Sequence, residues 1–305
     1  MAPRDAELEA LLDRIPVLQG LPRTVVDLHG GLTNRNLHVT TPGRDVVVRL
    51  FRGDPDLLGI DRDAECDNTR AAAAAGVGPG VVDHLPDPGV LVIEYLEGRT
   101  LTNEDLAEPR IIERVAAACR QLHGGPRFTG DFDMFARQAR YLATVRERGF
   151  PLFSRYADFL DPFERVRAAL AARPRPTVPC NNDLLAANFV DDGTRIWVID
   201  YEYSGNNDAC FELGNTATEC DLGVDRVEAL VTAYFGRLTR HELARVRLQS
   251  VVSEYGWALW GAIQAAASPI EADFFGWGES RFEKAATTFT SPVFDRLLEE
   301  AGRDD

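Results

Sequence analysis

Short apolar runs alternate with turn residues through the first third of the chain. VVDL (25–28), NLHVT (36–40) and VVVRLF (46–51) are β-branched runs of strand length. TPGRD (41–45) separates the last two with turn residues, so they are expected to pair as a hairpin. IDRDAECDNTRAAAAAG (60–76) predicts a helix: Asp61 and Asp63 suit its positive end, the alanines its interior, and Gly76 its stop. VGPGVVDHL (77–85) and VLVIEYLEG (90–98) predict two further strands. About five strands and one main helix make an α+β lobe.

From residue 100 the period changes to that of helices. EDLAEPRIIERVAAACRQLHG (104–124) is amphipathic, with Gly124 as its C-cap, and 132–149, 155–173, 224–237 and 240–267 also predict helices. NFVDDGTRIWVID carries D-D-G between two apolar runs and predicts a small hairpin. The boundary falls near 96–99, giving a β-rich lobe (1–97) and a helical lobe (98–305). A cleft between two such lobes is the expected place for a ligand.

Composition narrows the chemistry. The chain has 305 residues, of which 45% are hydrophobic, enough for a substantial core. A formal net charge of −15 repels a nucleic-acid backbone and is compatible with a cationic small substrate. No apolar run reaches the length of a membrane span, and MAPRDAELEALLDR lacks an apolar signal core, so a cytoplasmic chain without membrane insertion is expected. Five scattered cysteines, none in C-x-x-C, and five histidines without ligand spacing argue against a disulfide framework and a transition-metal site.

The polar residues with the clearest chemistry lie between 180 and 202. In C-N-N-D-L-L-A-A-N, Asp183 follows a predicted strand end, where a loop carboxylate can accept a proton from a hydroxyl nucleophile. Asn188, five residues on, offers a neutral carbonyl oxygen, and Asp200, at the end of R-I-W-V-I, a charged one. The hairpin between them brings the two together, and both are hard ligands suited to Mg²⁺. D-x-x-x-x-N alone is a weak signal that turn chemistry also produces. The longer D-x-x-x-x-N-F-V-D-D-G-x-x-x-W-V-I-D-Y-E is much more specific. A base, an amide ligand and a carboxylate ligand together are the apparatus of Mg²⁺-dependent phosphoryl transfer in kinase-like enzymes.

Phosphate-binding groups are then expected upstream. H-G-G-L-T-N-R-N-L-H-V places Gly30, Gly31, Thr33 and Asn34 in a turn whose backbone N–H groups can meet anionic oxygens. The chain's single lysine is Lys284, so the cation for the phosphates on the next strand is Arg49. Flanked by Val48 and Leu50, Arg49 also fits a solvated strand position, and the pattern does not decide. Glu65 on the following helix is its natural ion-pair partner. L-V-I-E-Y-L-E-G, with Glu94 and Leu96, is placed to hold adenine through backbone groups.

With GGLTNRN, VVVRLF, IDRDAE, LVIEYLEG, NDLLAANF, IWVIDYEYSGNND, F-E-L-G-N, S-E-Y-G-W-A-L-W-G and F-F-G-W-G-E-S-R-F in place, the chain resembles the choline/ethanolamine kinase branch of the aminoglycoside-phosphotransferase and protein-kinase-like superfamily, from about residue 20 to 290. The resemblance implies a bilobal protein-kinase-like α+β fold: an N-terminal antiparallel β-sheet lobe with one main helix, and a larger, mainly helical C-terminal lobe. It implies an ATP- and Mg²⁺-dependent O-phosphotransferase with Asp183 as base, Asn188 and Asp200 as metal ligands, and Arg49 with Glu65 on the ATP phosphates. Glu202 matches an acidic residue that follows the metal aspartate. The family usually carries histidine two residues before the base, where it braces the loop; this chain has Asn181, which can still donate and accept.

The acceptor is less sharply defined. Trp257 and Trp260 share a helical face, and Trp277 follows in G-W-G-E-S-R-F. The family's aromatics at matching places line a choline pocket, where ring faces attract a quaternary ammonium; aromatics at helical spacing also serve as core. Asp208 stands where some choline kinases have tyrosine, and a carboxylate there could pair with an ammonium. Choline or ethanolamine is the expected acceptor. An aminoglycoside, thiamine or sugar kinase of the same fold is the alternative, and an ATP-binding pseudokinase a third reading prompted by Asn181. Without D-F-G and A-P-E, a protein-serine kinase is not indicated.

Overall fold

The computed structural model describes residues 3–28 and 33–303. Its N-terminal part holds α1 (Pro3–Leu12), β1 (Thr24–Leu28), β2 (Arg35–Thr41), β3 (Arg44–Leu50), α2 (Pro55–Leu58), α3 (Arg62–Ala74), β4 (Val81–Leu85) and β5 (Val90–Glu94). The five strands form one antiparallel sheet in the order β1-β2-β3-β5-β4. All five expected strands and the main helix are present; α1 and α2 are additions.

Alternation along the central strands explains why both sheet faces are covered. Val46 and Val48 point with Leu37, Val39, Val90 and Val92 onto Leu12, Ile15 and Leu18 behind α1. Val47 turns the other way and packs with Leu91 and Ile93 around Cys66 of α3. Arg49 alternates with Val48, so it emerges on the face of α3 rather than toward solvent. Asp61 caps α3, its carboxylate accepting the N–H groups of Asp63 and Ala64.

The C-terminal part is mainly helical: β6 (Arg99–Thr100), α4 (Pro109–His123), α5 (Met134–Arg148), α6 (Leu160–Ala171), β7 (Val178–Cys180), β8 (Phe189–Asp191), β9 (Ile196–Val198), β10 (Gly205–Asn207), α7 (Ala209–Glu219), α8 (Val224–Phe235), α9 (Arg240–Ala267), α10 (Phe274–Thr290) and α11 (Phe294–Ala301). The expected 189–198 hairpin forms as β8 and β9, with β6 added at its edge. The central beam is α9, 28 residues and about 42 Å long. Its residues from Val251 to Gln264 are buried without interruption, because other elements pack around it on every side.

Glycines set the closest crossings. A Cβ on Gly261 would lie 2.7 Å from the carbonyl oxygen of Phe274 and 2.8 Å from Cα of Gly278; one on Gly214 would lie 2.6 Å from the backbone nitrogen of Ser250. These contacts let α10 and α7 approach α9 backbone to backbone. Gly261→Ala is expected to destabilise the protein by about 2 kcal/mol, as overpacking does, and urea unfolding would measure it.

Within the same core, Glu254 of α9 is 8% exposed and accepts a hydrogen bond from Thr218 Oγ1 at 2.7 Å. Burial pushes its carboxyl up to about 7, against 4.5 for an ordinary glutamate. The folded state therefore holds this proton more tightly than the unfolded chain. The associated stability is present below about pH 4.5 and is lost as pH rises through 7. Glu254→Gln should be more stable than the parent at pH 8 by roughly 2 kcal/mol, with the advantage gone at pH 4.5. Urea midpoints at the two pH values give the comparison.

Candidate active site

The Asp183 segment begins where β7 ends, and it is built on a buried carboxylate. Glu212 of α7 is fully buried, and its two oxygens accept the backbone N–H of Asn181 at 2.8 Å and of Asn182 at 2.7 Å. Three residues along the same helix face, Asn215 accepts the N–H of Leu184 at 2.6 Å. The F-E-L-G-N word thus has a physical content. Glu and Asn hold the loop, and the intervening Gly214 lets α9 close over the back of α7.

The two asparagines before Asp183 have different tasks. Asn182 adopts a left-handed conformation, φ 69°, which asparagine tolerates better than most residues. Its amide nitrogen lies 3.1–3.3 Å from the carbonyls of Tyr203, Cys180 and Gly205, and its oxygen accepts from Asn207. Asn181 spans two segments: its amide donates to the carbonyl oxygens of Asp200 at 2.7 Å and Ile199 at 3.2 Å, and its oxygen accepts the N–H of Asp183 at 3.1 Å. A neutral asparagine therefore ties the Asp183 loop to the Asp200 turn.

Asp183, Asn188, Asp200 and Glu202 line one pocket of about 130 Å³. The N–H of Ile199 donates to the carbonyl of Asn188 at 3.0 Å, which closes the β8–β9 hairpin and sets Asn188 beside Asp200. The Asn188 amide nitrogen donates to the Asp183 carbonyl at 2.8 Å. Its oxygen is left without a partner among the described residues. Carbonyl and carboxylate oxygens make up this donor set, which fits a hard cation such as Mg²⁺. Removal from water, with Glu219, Asp200, Glu202 and Glu212 nearby, holds the Asp183 carboxyl well above the usual aspartate range.

Arg49 is 6% exposed and donates to Glu65 at 2.8 Å and to Asp200 at 2.6 Å. Burial disfavours its charge, but Asp200 and Glu65 outweigh that effect and keep it cationic. Glu65 also pairs with Arg62 at 2.7 Å, and Arg62 reaches Glu202 at 2.7 Å. Thr33 and Asn34 are drawn into the same network, since both donate to Glu202, at 2.8 and 3.1 Å. Their side chains are therefore occupied by protein, and the sequence reading assigned the backbone N–H groups of this turn, not these side chains, to the phosphates. Gly30 and Gly31 lie outside the described residues.

A second cavity, of about 460 Å³, opens on the other side of Asp200. Leu28, Val47, Ile93, Val190 and Ile199 give it apolar walls, Arg49 and Asn188 its polar end, and Glu94 and Leu96 its rim. The side chain of Glu94 turns back to accept the N–H of Gly80 at 3.1 Å, so it stiffens this rim. Leu96 makes no backbone hydrogen bond among the described residues. A flat apolar ring with polar edges and an anionic tail fits such a cavity.

Trp257, Trp260 and Trp277 all reach the pocket of Asp183, so the three separated tryptophans do share one site. Trp260 donates its indole N–H to Tyr203 Oη at 2.8 Å and meets Trp277 edge to face, ring centres 5.3 Å apart. The residues that sequence reasoning missed here are Tyr203 and Glu219. Glu219 takes a two-pronged ion pair from Arg281, which also lies over the Trp277 ring at 4.8 Å. It sits in α7, which sequence reasoning left unassigned.

Asp208 is a correction. It caps α7 through the N–H of Cys210 at 2.9 Å and receives Arg245 at 2.7 Å, buried away from the pocket. Glu219 lines the pocket and Asp208 does not, so Asp208 is out of reach of an ammonium bound there. The histidine and cysteine spacing also hid a cluster: His123, Cys180 and Glu212 place ligand-type atoms within 4.8 Å of one another, all buried. Both Glu212 oxygens already serve the Asp183 loop, and His123 Nδ1 pairs with Tyr234 Oη at 2.6 Å, so the cluster forms the floor of that loop.

Comparison with known proteins agrees with this geometry. Residues 25–229 match the family described as choline/ethanolamine kinase. Ethanolamine kinase 2 of Mus musculus is 27% identical, over 83% of this chain and 73% of its own length. Protein LicA of Haemophilus influenzae is 25% identical, over 77% of this chain and 72% of its own. Among solved structures, a choline/ethanolamine kinase family protein from Mesorhizobium loti superposes with a TM-score of 0.86 and 34% identity, covering 98% of this chain and 99% of that one. Among the described residues no helix is long and apolar enough to cross a membrane. The chain belongs to the choline/ethanolamine kinase family and is a phosphotransferase.

Proposed function

We propose that this kinase transfers the γ-phosphoryl group of ATP, with Mg²⁺, to the hydroxyl of a small amino alcohol, choline or ethanolamine. One observation carries the reading. Asp183, the oxygens of Asn188 and Asp200, three tryptophans and Glu219 line one pocket, and the cavity beyond Asp200 is closed by Arg49 and the Leu96 rim. Residues 1–97 then act as the nucleotide lobe and 98–305 as the catalytic and acceptor lobe. Five buried free cysteines suit the reducing cytoplasm, where the reaction is placed.

The residues divide the work by charge. Asn188 and Asp200 would hold the metal, which supplies charge neutralisation at the transferring phosphoryl group. Arg49, steadied by Glu65, faces the phosphate end of the nucleotide cavity. Tryptophan faces and the Glu219 carboxylate receive the ammonium end of the acceptor. That places its hydroxyl near Asp183, which takes the proton. Positive charge brought into the pocket lowers the raised affinity of Asp183 for a proton, so the base ionises when the site is loaded.

The first test is ADP release with Mg²⁺-ATP across choline, ethanolamine, related amino alcohols, thiamine and aminoglycosides. Turnover with choline or ethanolamine is expected; turnover only with another acceptor would refute the assignment. Asp183→Asn should lower kcat by about a thousandfold while nucleotide binding persists, as loss of a general base does. Glu219→Gln should raise the acceptor KM about tenfold and leave the ATP KM near its parent value, as removal of a ground-state contact does. Asn181→Ala should lower kcat by ten- to a hundredfold, the order expected for a misplaced base, while Asn181→His keeps turnover. Equal inactivity of the parent and both position-181 variants would favour a pseudokinase.

A further inference from the structure

Arg137 of α5 joins the acceptor pocket to the nucleotide side of the molecule. Its guanidinium carbon lies 5.2 Å from the ring centre of Tyr203 and 6.0 Å from that of Trp257, both of which line the pocket. Phe132 and Tyr141 complete the surround at 4.9 and 5.7 Å. The box of rings therefore already contains a cation that belongs to the protein. The same guanidinium donates to the carbonyl of Leu58 at 2.7 Å and approaches that of Gly59 at 3.5 Å.

Leu58 is the anchor of the N-terminal part. Its single carbonyl oxygen receives Arg137, Arg140 at 2.8 Å and Tyr141 Oη at 2.8 Å. Gly59 then turns the chain with φ 63°, and a Cβ there would meet the Arg140 guanidinium at 2.0 Å. Two residues on, Asp61 starts α3, and Arg62 and Glu65 of its first turn form the network with Glu202, Arg49 and Asp200. Tyr203 and Trp257 are thus linked to Arg49 through Arg137, Leu58 and the start of α3.

We propose that Arg137 is a positioning residue that couples acceptor binding to nucleotide binding by holding the Asp56–Gly59 segment against the aromatic rings of the pocket. The inference rests on the reading of these cavities as acceptor and nucleotide sites. Coupling of this kind is reciprocal: an acceptor that settles the rings tightens the nucleotide by the same factor that the nucleotide tightens the acceptor. A purely structural role would lower stability without altering that factor.

The test compares the parent with Arg137→Met, which keeps the packing and removes the charge, and Arg137→Lys, which keeps the charge. The affinity of a non-hydrolysable ATP analogue with Mg²⁺ is measured with and without the acceptor that turns over. In the parent the acceptor is expected to tighten the analogue at least fivefold, in Arg137→Met by less than twofold, and in Arg137→Lys by an intermediate factor. Acceptor KM should rise at least fivefold in Arg137→Met, more than kcat falls. Without any substrate, amide exchange at Gly59 and Ile60 should quicken in the same order.

An unchanged coupling factor in folded Arg137→Met, or no coupling in the parent, overturns the proposal. If Arg137→Met does not fold, Arg137→Lys decides by the same measurements. If no amino alcohol turns over in the parent, the functional reading fails. The exchange rates still judge the clamp, and unaltered protection of Gly59 and Ile60 overturns it.

Discussion

Crowded negative charge is the constraint on which the centre of this protein depends. Glu65, Asp183, Asp200, Glu202 and Glu219 gather around two adjoining cavities. Desolvated carboxylates at such spacing repel one another, and each tends to hold a proton unless a cation attends it. Arg49, Arg62 and Arg281 supply part of that compensation by pairing with Glu65, Asp200, Glu202 and Glu219. Asp183 is left without an arginine and with its proton affinity raised. The remaining negative charge is complementary to a hard divalent cation and to an ammonium group.

The fold positions these charges with buried polar contacts instead of packing alone. Glu212 and Asn215 of α7 fix the backbone of the Asp183 loop, and Asn181 fixes that loop to the Asp200 turn. Asp200 itself holds a left-handed backbone conformation, φ 66°. Such a geometry persists when the surroundings over-determine it, as the Asn181 and Arg49 contacts do. Asn181 makes this tie with a neutral side chain, its amide donating to the carbonyls of Asp200 and Ile199 and its oxygen accepting the N–H of Asp183.

Legibility from sequence followed the physics of each element. The α9 helix was legible at both ends because Thr239 caps it and its apolar positions are dense. The α7 helix was missed because every residue from Cys210 to Glu219 is buried, so it has no polar face to create a period. The same omission left the structural role of Asp208 unread. The resemblance put a carboxylate where some relatives have tyrosine, and without the helix in view its role as the cap of that helix went unseen. The α10 helix was hidden by Gly276 and Gly278, one of which exists for the crossing with α9. That Asp183, Asn188 and Asp200 share one pocket was legible because they lie at short spacing on either side of a predicted hairpin. Glu219 and Tyr203 were not, since only the tertiary fold brings them to the pocket.

The most direct measurement is phosphorus NMR of the products formed from Mg²⁺-ATP with choline or ethanolamine. It reports where the phosphoryl group goes, whatever the rate of ADP release. The expected result is ADP together with a phosphomonoester of the amino alcohol, its signal split by the adjacent CH₂ protons. ADP with inorganic phosphate alone, or unchanged ATP, would contradict the assignment of this pocket to an amino-alcohol acceptor.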